Sequence, residues 1–261
     1  MLVRETFMRQ IGALGIGRGD ILLVHSSLRA LGPVEGGAEM ILDALLEVLG
    51  PEGTLMMPGF QSGSEYMLAS RNVCFDVRNT PSDCGYLTEV FRRYPGAARS
   101  LSPTHSMTVF GPRGDELIRG HERCEVTAGY GSPFERLIAL DGRILMLGAP
   151  RRSNTTMHYL ENTGGAPTVC ALRFPTSVID AGGRVISTPI YPHMPGLSRN
   201  YEAAIDLLEK AGGVTSGPVG EAHCECYRAR LLAETVYGAL RKNPCAFIRV
   251  FTPGRNAGAA V

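Results

Sequence analysis

The strongest constraint on the fold is a pair of short apolar runs that bracket one amphipathic stretch near the start of the chain. The runs cover residues 20–24 and 53–58, and turn residues flank each of them, as is typical of buried strands. Residues 36–50 carry apolar side chains at helical spacing and end in a glycine. This β-α-β order favours two parallel strands joined by a right-handed crossover. The opening of the chain therefore predicts an α/β fold.

Later segments first extend this pattern and then change it. Further strand candidates are 107–111, 144–147, 168–174, 176–180, 184–187 and 246–251, and further helix candidates are 1–17, 86–94, 132–140, 201–211 and 224–241. After Gly165 the strand candidates follow one another without a helix between them, and residues 181–183 are typical of a hairpin turn, so antiparallel pairing is expected there. The long Pro- and Gly-rich segment 61–106 is of a kind that is usually functional. The prediction is one α/β domain over residues 1–261, with a mixed, largely parallel central sheet flanked by helices and an antiparallel β-rich portion in the C-terminal half.

The composition excludes several kinds of partner. Lys and Arg number 26 and Asp and Glu number 25, which gives a formal net charge of +1. A charge so close to zero creates no general field for nucleic acid or anionic lipid. No apolar run approaches the roughly 18 residues of a membrane helix, and the N-terminus has no signal-peptide core. The seven Cys residues show no disulfide rhythm. We therefore expect a cytoplasmic protein that binds neither nucleic acid nor membrane.

Residues 153–161, Ser-Asn-Thr-Thr-Met-His-Tyr-Leu-Glu, form the most informative chemical pattern. Polar residues between a strand and a helix lie at the carboxyl edge of a sheet, where α/β proteins bind ligands. If a helix begins near Thr155, then Thr155, His158 and Glu161 share one helix face. An imidazole can accept a proton near neutral pH, and a carboxylate can hold it in one tautomer. The pattern fits general-base catalysis, and it fits equally a helix whose His and Glu are structural or solvated.

Two further strand ends carry weaker signals. Residues 25–27, His-Ser-Ser, could bind a phosphate or an amide carbonyl, or they could form a capped turn. Residues 99–106 combine an arginine, hydroxyl groups and His105 just before a strand. With Arg92 and Arg93, this arginine could form an anion site, or the group could be a solvated basic helix end.

Acidic residues and possible metal ligands give ambiguous signals. Residues 75–85 include Asp76 and Asp83, which could attract a cationic amine or could only cap turns and the next helix. No set of His, Cys and carboxylate residues has a strong zinc spacing, so no metal is expected. The close pair Cys224 and Cys226 is best explained as structural.

Six motifs in one order resemble a known family. They are residues 19–32 (Gly-Asp-Ile-Leu-Leu-Val-His-Ser-Ser-Leu-Arg-Ala-Leu-Gly), 50–58, 75–85 (Phe-Asp-x-Arg-x-Thr-Pro-Ser-Asp-x-Gly), 99–106 (Arg-Ser-x-x-Pro-Thr-His-Ser), 131–133 and 155–161 (Thr-x-x-His-x-x-Glu). Together they resemble the aminoglycoside N3-acetyltransferases, antibiotic-resistance enzymes unrelated to the GNAT fold. The resemblance spans about residues 10–165. Ser102, where the family usually has His, and Cys84, where Met is common, depart from the pattern.

The resemblance implies transfer of an acetyl group from acetyl-CoA to a primary amine, most often the 3-amino group of a 2-deoxystreptamine aminoglycoside. It implies catalytic roles for His158 and Glu161, and the hydroxyl of Thr155, one turn earlier, is a catalytic candidate by residue type and spacing, as a donor to the oxyanion. It implies that the CoA side comprises His25, Ser26, Ser27, Leu28, Arg29, Ser100, Thr104 and Ser106. The amine would be held by Asp76, Asp83 and Glu161, and the partners would be small molecules bound to a monomer or homodimer. Within the single domain, residues 1–165 would bind CoA and catalyse, and 166–261 would shape the acceptor pocket.

Other chemistries stay open at this point. The acceptor could be a different biosynthetic amine. His158 could instead activate water in a thioester hydrolase, the acetyl group could pass through Cys84 or Ser27, or the chain could bind CoA without turnover.

Overall fold

The structure, a computed structural model, describes residues 1–249 and is built around a seven-stranded sheet. The helices in that range are Arg4–Ala13 (α1), Gly37–Leu49 (α2), Glu65–Ser70 (α3), Tyr86–Arg92 (α4), Gly114–Ile118 (α5), Pro133–Ala139 (α6), Thr156–Thr163 (α7), Tyr201–Lys210 (α8) and Ala229–Leu240 (α9). The strands there are Ile21–Ser26 (β1), Thr54–Pro58 (β2), Cys74–Asp76 (β3), Ala98–Arg99 (β4), Met107–Phe110 (β5), Arg143–Leu147 (β6), Ser177–Ile179 (β7), Val185–Ser187 (β8), Ser198–Arg199 (β9), Thr215–Val219 (β10), Ala222–Arg228 (β11) and Ile248–Arg249 (β12).

The main sheet has a parallel centre and antiparallel edges. Its strand order is β10-β11-β6-β1-β2-β5-β4. Strand β1 runs parallel to both β2 and β6, with Leu22 opposite Leu55 and Ser26 opposite Leu147. Strands β11 and β5 then pair antiparallel on the two sides. The predicted fold class is confirmed, including the parallel β-α-β opening.

Both faces of the sheet are buried, which explains the continuous apolar runs of the central strands. Along β1, Ile21 and Leu23 pack into one hydrophobic cluster, whereas Leu22 and Val24 pack into the other. Helices α1, α2 and α4 contribute to the second cluster, and α5 to α9 contribute to the first. Because strand side chains alternate between faces, a strand covered on both sides must be apolar at every position.

The sheet brings several polar segments to one edge. The parallel strands β1, β2 and β6 all end there, at Ser26, Pro58 and Leu147. Strand β5 is antiparallel, so it begins at the same edge, with Met107 opposite Pro58. The segments that follow β1, β2 and β6 and the segment that precedes β5 therefore meet around one opening.

Beyond Gly165 the structure agrees with the sequence predictions in part. Strands β7 and β8 form the predicted hairpin, closed by the Gly183 amide, which donates to the Asp180 carbonyl at 2.9 Å. They extend β3 into a separate three-stranded sheet. The predicted closing strand is present as β12 up to Arg249, and the rest of that prediction lies outside the described residues.

Two predicted elements are wrong. Residues 168–174 form no continuous strand: they pair with residues 190–194 through a few backbone hydrogen bonds and two isolated antiparallel bridges, and Pro192 has no backbone N–H to extend the ladder. The predicted helix 224–241 begins only at Ala229. Its first five residues belong to β11, because the free edge of β6 offers backbone partners that override the helical pattern.

Candidate active site

Helix α7 is positioned by a side-chain cap and by the neighbouring strand. The Thr156 amide donates to Asn154 Oδ1 at 3.0 Å, and the Asn154 amide group donates to the Tyr227 hydroxyl of β11 at 3.0 Å. Asn154 is fully buried. The cap satisfies a backbone donor at the helix start, and its anchor to β11 fixes the helix at the carboxyl edge of the sheet. His158 and Glu161 therefore project from a rigid element.

A tyrosine hydroxyl joins His158 to Glu161. The Tyr201 hydroxyl lies 2.9 Å from His158 Nδ1 and donates to Glu161 Oε2 at 2.8 Å. A phenol has one proton, so the hydroxyl that donates to the carboxylate must accept from Nδ1–H. This assigns the Nδ1–H tautomer to His158. Its Nε2 has no hydrogen-bond partner among the described residues.

The electrostatic environment favours a neutral His158 and a protonated Tyr201. Loss of hydration lowers the pKa of His158 well below its usual value, and His193, His105 and Arg199 lower it further. Burial and the nearby Glu161 raise the pKa of Tyr201 well above its usual value. Burial raises the pKa of Glu161, although the Arg199 guanidinium opposes this shift. A neutral imidazole with a free Nε2 is the form that can accept a proton.

Two more histidines surround His158. The ring centroid of His158 is 4.4 Å from that of His193 and 5.6 Å from that of His105. Both neighbours contact Glu65, with His193 Nδ1 2.5 Å and His105 Nδ1 3.3 Å from its carboxylate oxygens. These contacts lower the pKa of Glu65 well below its usual value despite its burial. His105 and His193 are therefore both held in place by the buried Glu65 carboxylate, and all three line one side of the site next to His158.

The amide of Asn162 determines the tautomer of His193. Asn162 Nδ2 donates to the Ala128 carbonyl at 2.9 Å, and its Oδ1 accepts from the Thr168 hydroxyl at 3.1 Å. The same Nδ2 lies 3.0 Å from His193 Nε2, which must therefore accept. The proton of His193 thus resides on Nδ1, toward Glu65.

Two cavities adjoin beside helix α7, and His158 lines the first of them. The first, about 390 Å³, is lined by His158, His105, His193, Glu65 and Arg199 among others. The second, about 330 Å³, is lined by His25, Ser26, Ser27 and Cys84 among others. Phe60 and Thr155 line both cavities. Reactants bound in the two cavities would lie on either side of Phe60 and Thr155, with His158 in the lining of the first cavity.

The structure places the residues predicted for the CoA side in several different surroundings. His25, Ser26 and Ser27 line the second cavity, whereas Thr104 lines the first. Leu28 and Arg29 lie in a short turn after β1, with Arg29 exposed, and line neither cavity. Ser100 and Ser106 are buried in internal contacts: the Ser106 hydroxyl donates to the Ser100 carbonyl, and the Ser100 hydroxyl accepts from the Met107 amide. Both serines stabilise the loop, and Ser100 also lines a separate third cavity of about 860 Å³.

The predicted acceptor acids and the arginines at 92 and 99 also make contacts within the protein. Asp76 closes its own turn by accepting from the backbone of Arg78 and Asn79, and exposed Asp83 accepts from the Ser62 amide. Neither lines the two cavities. The arginine anion site stays a prediction: Arg92 and Arg99 line the third cavity, although Arg99 also donates to the carbonyls of residues 59, 77 and 80 and Arg92 pairs with Glu89.

Sequence reasoning missed four residues of this site. They are Glu65, His193, Arg199 and Tyr201. Tyr201 begins α8, a helix that the sequence did predict, but nothing in its spacing pointed to a residue 40 positions earlier. His193 lies in a Pro- and Gly-rich segment of the kind that often carries functional side chains, and this was the available signal.

Within residues 1–249, no group of three or more His, Cys, Asp and Glu side chains is arranged to hold a metal ion. No helix in the same range has the length and apolarity to cross a bilayer.

Comparison with known proteins identifies relatives over most of the chain. The family model for aminoglycoside 3-N-acetyltransferase matches residues 23–240. Aminoglycoside N(3)-acetyltransferase III of Salmonella sp is 36% identical over 253 residues, which cover 88% of each chain. A mutant of aminoglycoside acetyltransferase AAC(3)-IVa solved in complex with a gentamicin has a TM-score of 0.81 at 27% identity, covering 94% of this chain and 91% of that one. AAC-IIIb solved with CoASH has a TM-score of 0.80 at 24% identity and covers 92% and 96%, which shows a shared fold.

These matches first define the class of protein, a CoA-dependent N-acetyltransferase that uses acetyl-CoA as cosubstrate. More specifically, the chain belongs to the aminoglycoside 3-N-acetyltransferase family.

Proposed function

We propose that this chain transfers an acetyl group directly from acetyl-CoA to a primary amine, with His158 as the general base. The observation that carries the proposal is the Nδ1 contact of His158 with Tyr201, which leaves Nε2 without a partner among the described residues, on a side chain that lines the first cavity. The thioester would lie in the second cavity along residues 25–27. The amine would lie in the first cavity, beside the three histidines.

The reaction needs a base because an ammonium has no lone pair. The acceptor loses one proton to solvent, and the neutral amine attacks the acetyl carbonyl. As the N–C bond forms, the second proton passes to His158 Nε2. The C–S bond then breaks, and the imidazolium returns this proton to the sulfur of CoA. The products are an amide and free CoASH. Glu161 supports the imidazolium through the Tyr201 hydroxyl and fixes its ring orientation.

Thr155 would stabilise the oxyanion that forms during attack. Its Oγ1 is buried without a hydrogen-bond partner in the described residues, and Thr155 lines both cavities. A hydroxyl without a protein partner at the meeting point of two reactants is free to donate to a developing negative charge.

The C-terminal half would complete the acceptor pocket, because His193, Arg199 and the segment between them line the first cavity. Names of the relatives make the 3-amino group of a 2-deoxystreptamine aminoglycoside the first acceptor to test. A different primary amine is the second candidate, and it is favoured by a first cavity whose one lining carboxylate, Glu65, is already paired with protein groups.

Free CoA release, followed with a thiol reagent, tests the proposal. The protein is incubated with acetyl-CoA, with and without a panel of primary amines. Direct transfer predicts thiol release that depends on an amine and yields one acetylated amine per thiol. Equal release without amine would instead indicate a thioester hydrolase, and no release with any amine would indicate a binding protein without turnover.

A covalent route through Cys84 is the less favoured alternative. Burial raises the pKa of the Cys84 thiol to about 11, and its Sγ lies 3.5 Å from the Phe60 carbonyl. A thiol with so high a pKa is almost entirely protonated at neutral pH and is a weak nucleophile.

A further inference from the structure

The first cavity contains one lining carboxylate, and that carboxylate is already fully engaged. Glu65 Oε1 accepts from the Thr104 hydroxyl at 2.9 Å and also from the Thr127 hydroxyl. Its Oε2 accepts from the His193 amide at 2.7 Å and pairs with His193 Nδ1. A carboxylate offers about four acceptor positions, so Glu65 has little capacity left for an ammonium group on a ligand.

Glu161, the next acid, is shielded from the cavity. It is fully buried and does not line the cavity. Its Oε2 binds both Tyr201 and Arg199, and its Oε1, also buried, has no hydrogen-bond partner among the described residues. Arg199 does line the cavity. Its Nε donates to Glu161 at 3.0 Å, whereas its Nη2 has no partner among the described residues. The pair therefore presents its cationic member toward the ligand.

The remaining lining residues are apolar or neutral. Phe60, Tyr66, Leu68, Met194 and Leu197 contribute aromatic or aliphatic surface. Asp83 accepts from the amide of Ser62, which precedes the lining residues Gly63 and Ser64. Its side chain is nevertheless exposed and does not line the cavity. A ligand with several ammonium groups would lose hydration on entering, and the cavity lining offers it no carboxylate oxygen that is free to pair.

We infer that the acceptor is a primary amine on an otherwise uncharged, partly apolar body, and that polycationic aminoglycosides are poor acceptors of this chain. The inference rests on the proposed acetyl transfer, and it concerns only the charge of the molecule that receives the acetyl group. The amine to be acetylated needs no carboxylate of its own, because it must become neutral before it attacks. Each additional ammonium needs a counter-charge that this cavity does not supply.

A panel of amines sorted by charge tests the inference in the wild-type protein. The monoamines are D-glucosamine, cyclohexylamine and benzylamine, and the polyamines are sisomicin and gentamicin. We expect kcat/KM for the best monoamine to exceed that for both antibiotics by at least about 10-fold, because each missing charge-assisted contact is worth a factor of this size or more. Antibiotics that match or exceed every monoamine would overturn the inference while leaving acetyl transfer intact. Absence of amine-dependent CoA release with every compound would refute acetyl transfer itself, and with it this inference.

A matched pair of variants tests whether charge is the limiting factor. Leu68 lines the cavity from α3 and has no catalytic role. Leu68→Glu adds a carboxylate, and Leu68→Gln has nearly the same shape without the charge. We expect kcat/KM for sisomicin to be about 10-fold or more higher in Leu68→Glu than in Leu68→Gln, with the difference decreasing as salt is added. Equal values in the two variants, both confirmed to be folded by thermal melting, would contradict the charge argument.

Discussion

Removal of the Tyr201 hydroxyl tests the link between Glu161 and the base. In Tyr201→Phe the ring still fills its buried position, but the carboxylate loses one donor and His158 Nδ1–H loses its acceptor. A buried polar group left without a partner costs about 1–3 kcal/mol. If that cost falls on the imidazolium formed during transfer, kcat decreases by about 10- to 100-fold.

The assay is steady-state CoA release at saturating amine, with acetyl-CoA varied. Because Tyr201 does not line the cavity that holds residues 25–27, KM for acetyl-CoA should change by less than about threefold. Nitrogen-15 NMR of the histidines should show the Nδ1–H tautomer of His158 in the wild type and a mixture of tautomers in the variant. The Glu161→Gln variant should lower kcat similarly, and the double variant should be little worse than either single one, because both changes break one chain of contacts.

Tyr237→Phe is the matched control, since its hydroxyl bonds Thr163 at 2.7 Å and touches neither His158 nor Glu161. We expect its kcat to stay within about twofold of wild type. Two results would contradict this role of Tyr201. One is a wild-type kcat in Tyr201→Phe, and the other is a double variant in which the effects of Tyr201→Phe and Glu161→Gln simply multiply. Either would show that the Tyr201 hydroxyl does not couple the Glu161 carboxylate to His158.

Three further tests concern Thr155, Cys84 and a pair of buried histidines. Thr155→Val, which keeps the side-chain shape, should lower kcat by about 10²–10³ with little change in either KM, measured by CoA release; a change below threefold would exclude Thr155 as the oxyanion donor. Cys84→Ala should keep kcat within about threefold, and loss of turnover there would revive the covalent route. Acid should weaken the fold through His25 and His121, whose pKa values burial lowers to about 3. Below pH 6.5 the unfolded chain takes up protons that the folded chain refuses until about pH 3, so stability falls as pH falls through this window. Urea unfolding should show a loss of about 4 kcal/mol from these two histidines between about pH 7 and pH 5, and an unchanged free energy of unfolding would contradict their burial in the neutral form.

The parts of the fold that sequence predicts well are those governed by local pattern. The β-α-β opening and the helix that carries His158 have strong periodicity and clear ends, and their packing agrees with that periodicity. The strand at 222–228 was missed because its pairing with β6 is a tertiary effect with no local signal. Short elements such as α3 and β4 fall within a segment rich in Pro and Gly, where turn residues obscure any period.

The same distinction between local pattern and tertiary contact separates the site residues that sequence predicted from those that it missed. His158 and Glu161 lie in α7 and Thr155 directly precedes it, so their proximity follows from spacing alone. Tyr201, Glu65 and His193 reach the site from three separate segments, and only the folded chain brings them together. The acids Asp76 and Asp83 had the right chemistry for an amine, yet their short side chains satisfy nearby backbone amides instead.

The most direct test of the account is the single-turnover transfer rate of His158→Ala with acetyl-CoA and the best amine of the panel. The account predicts a rate lower by at least about 100-fold, an unchanged dissociation constant for acetyl-CoA, and partial recovery on addition of free imidazole. A transfer rate within a few-fold of wild type would contradict the assignment of His158 as the base.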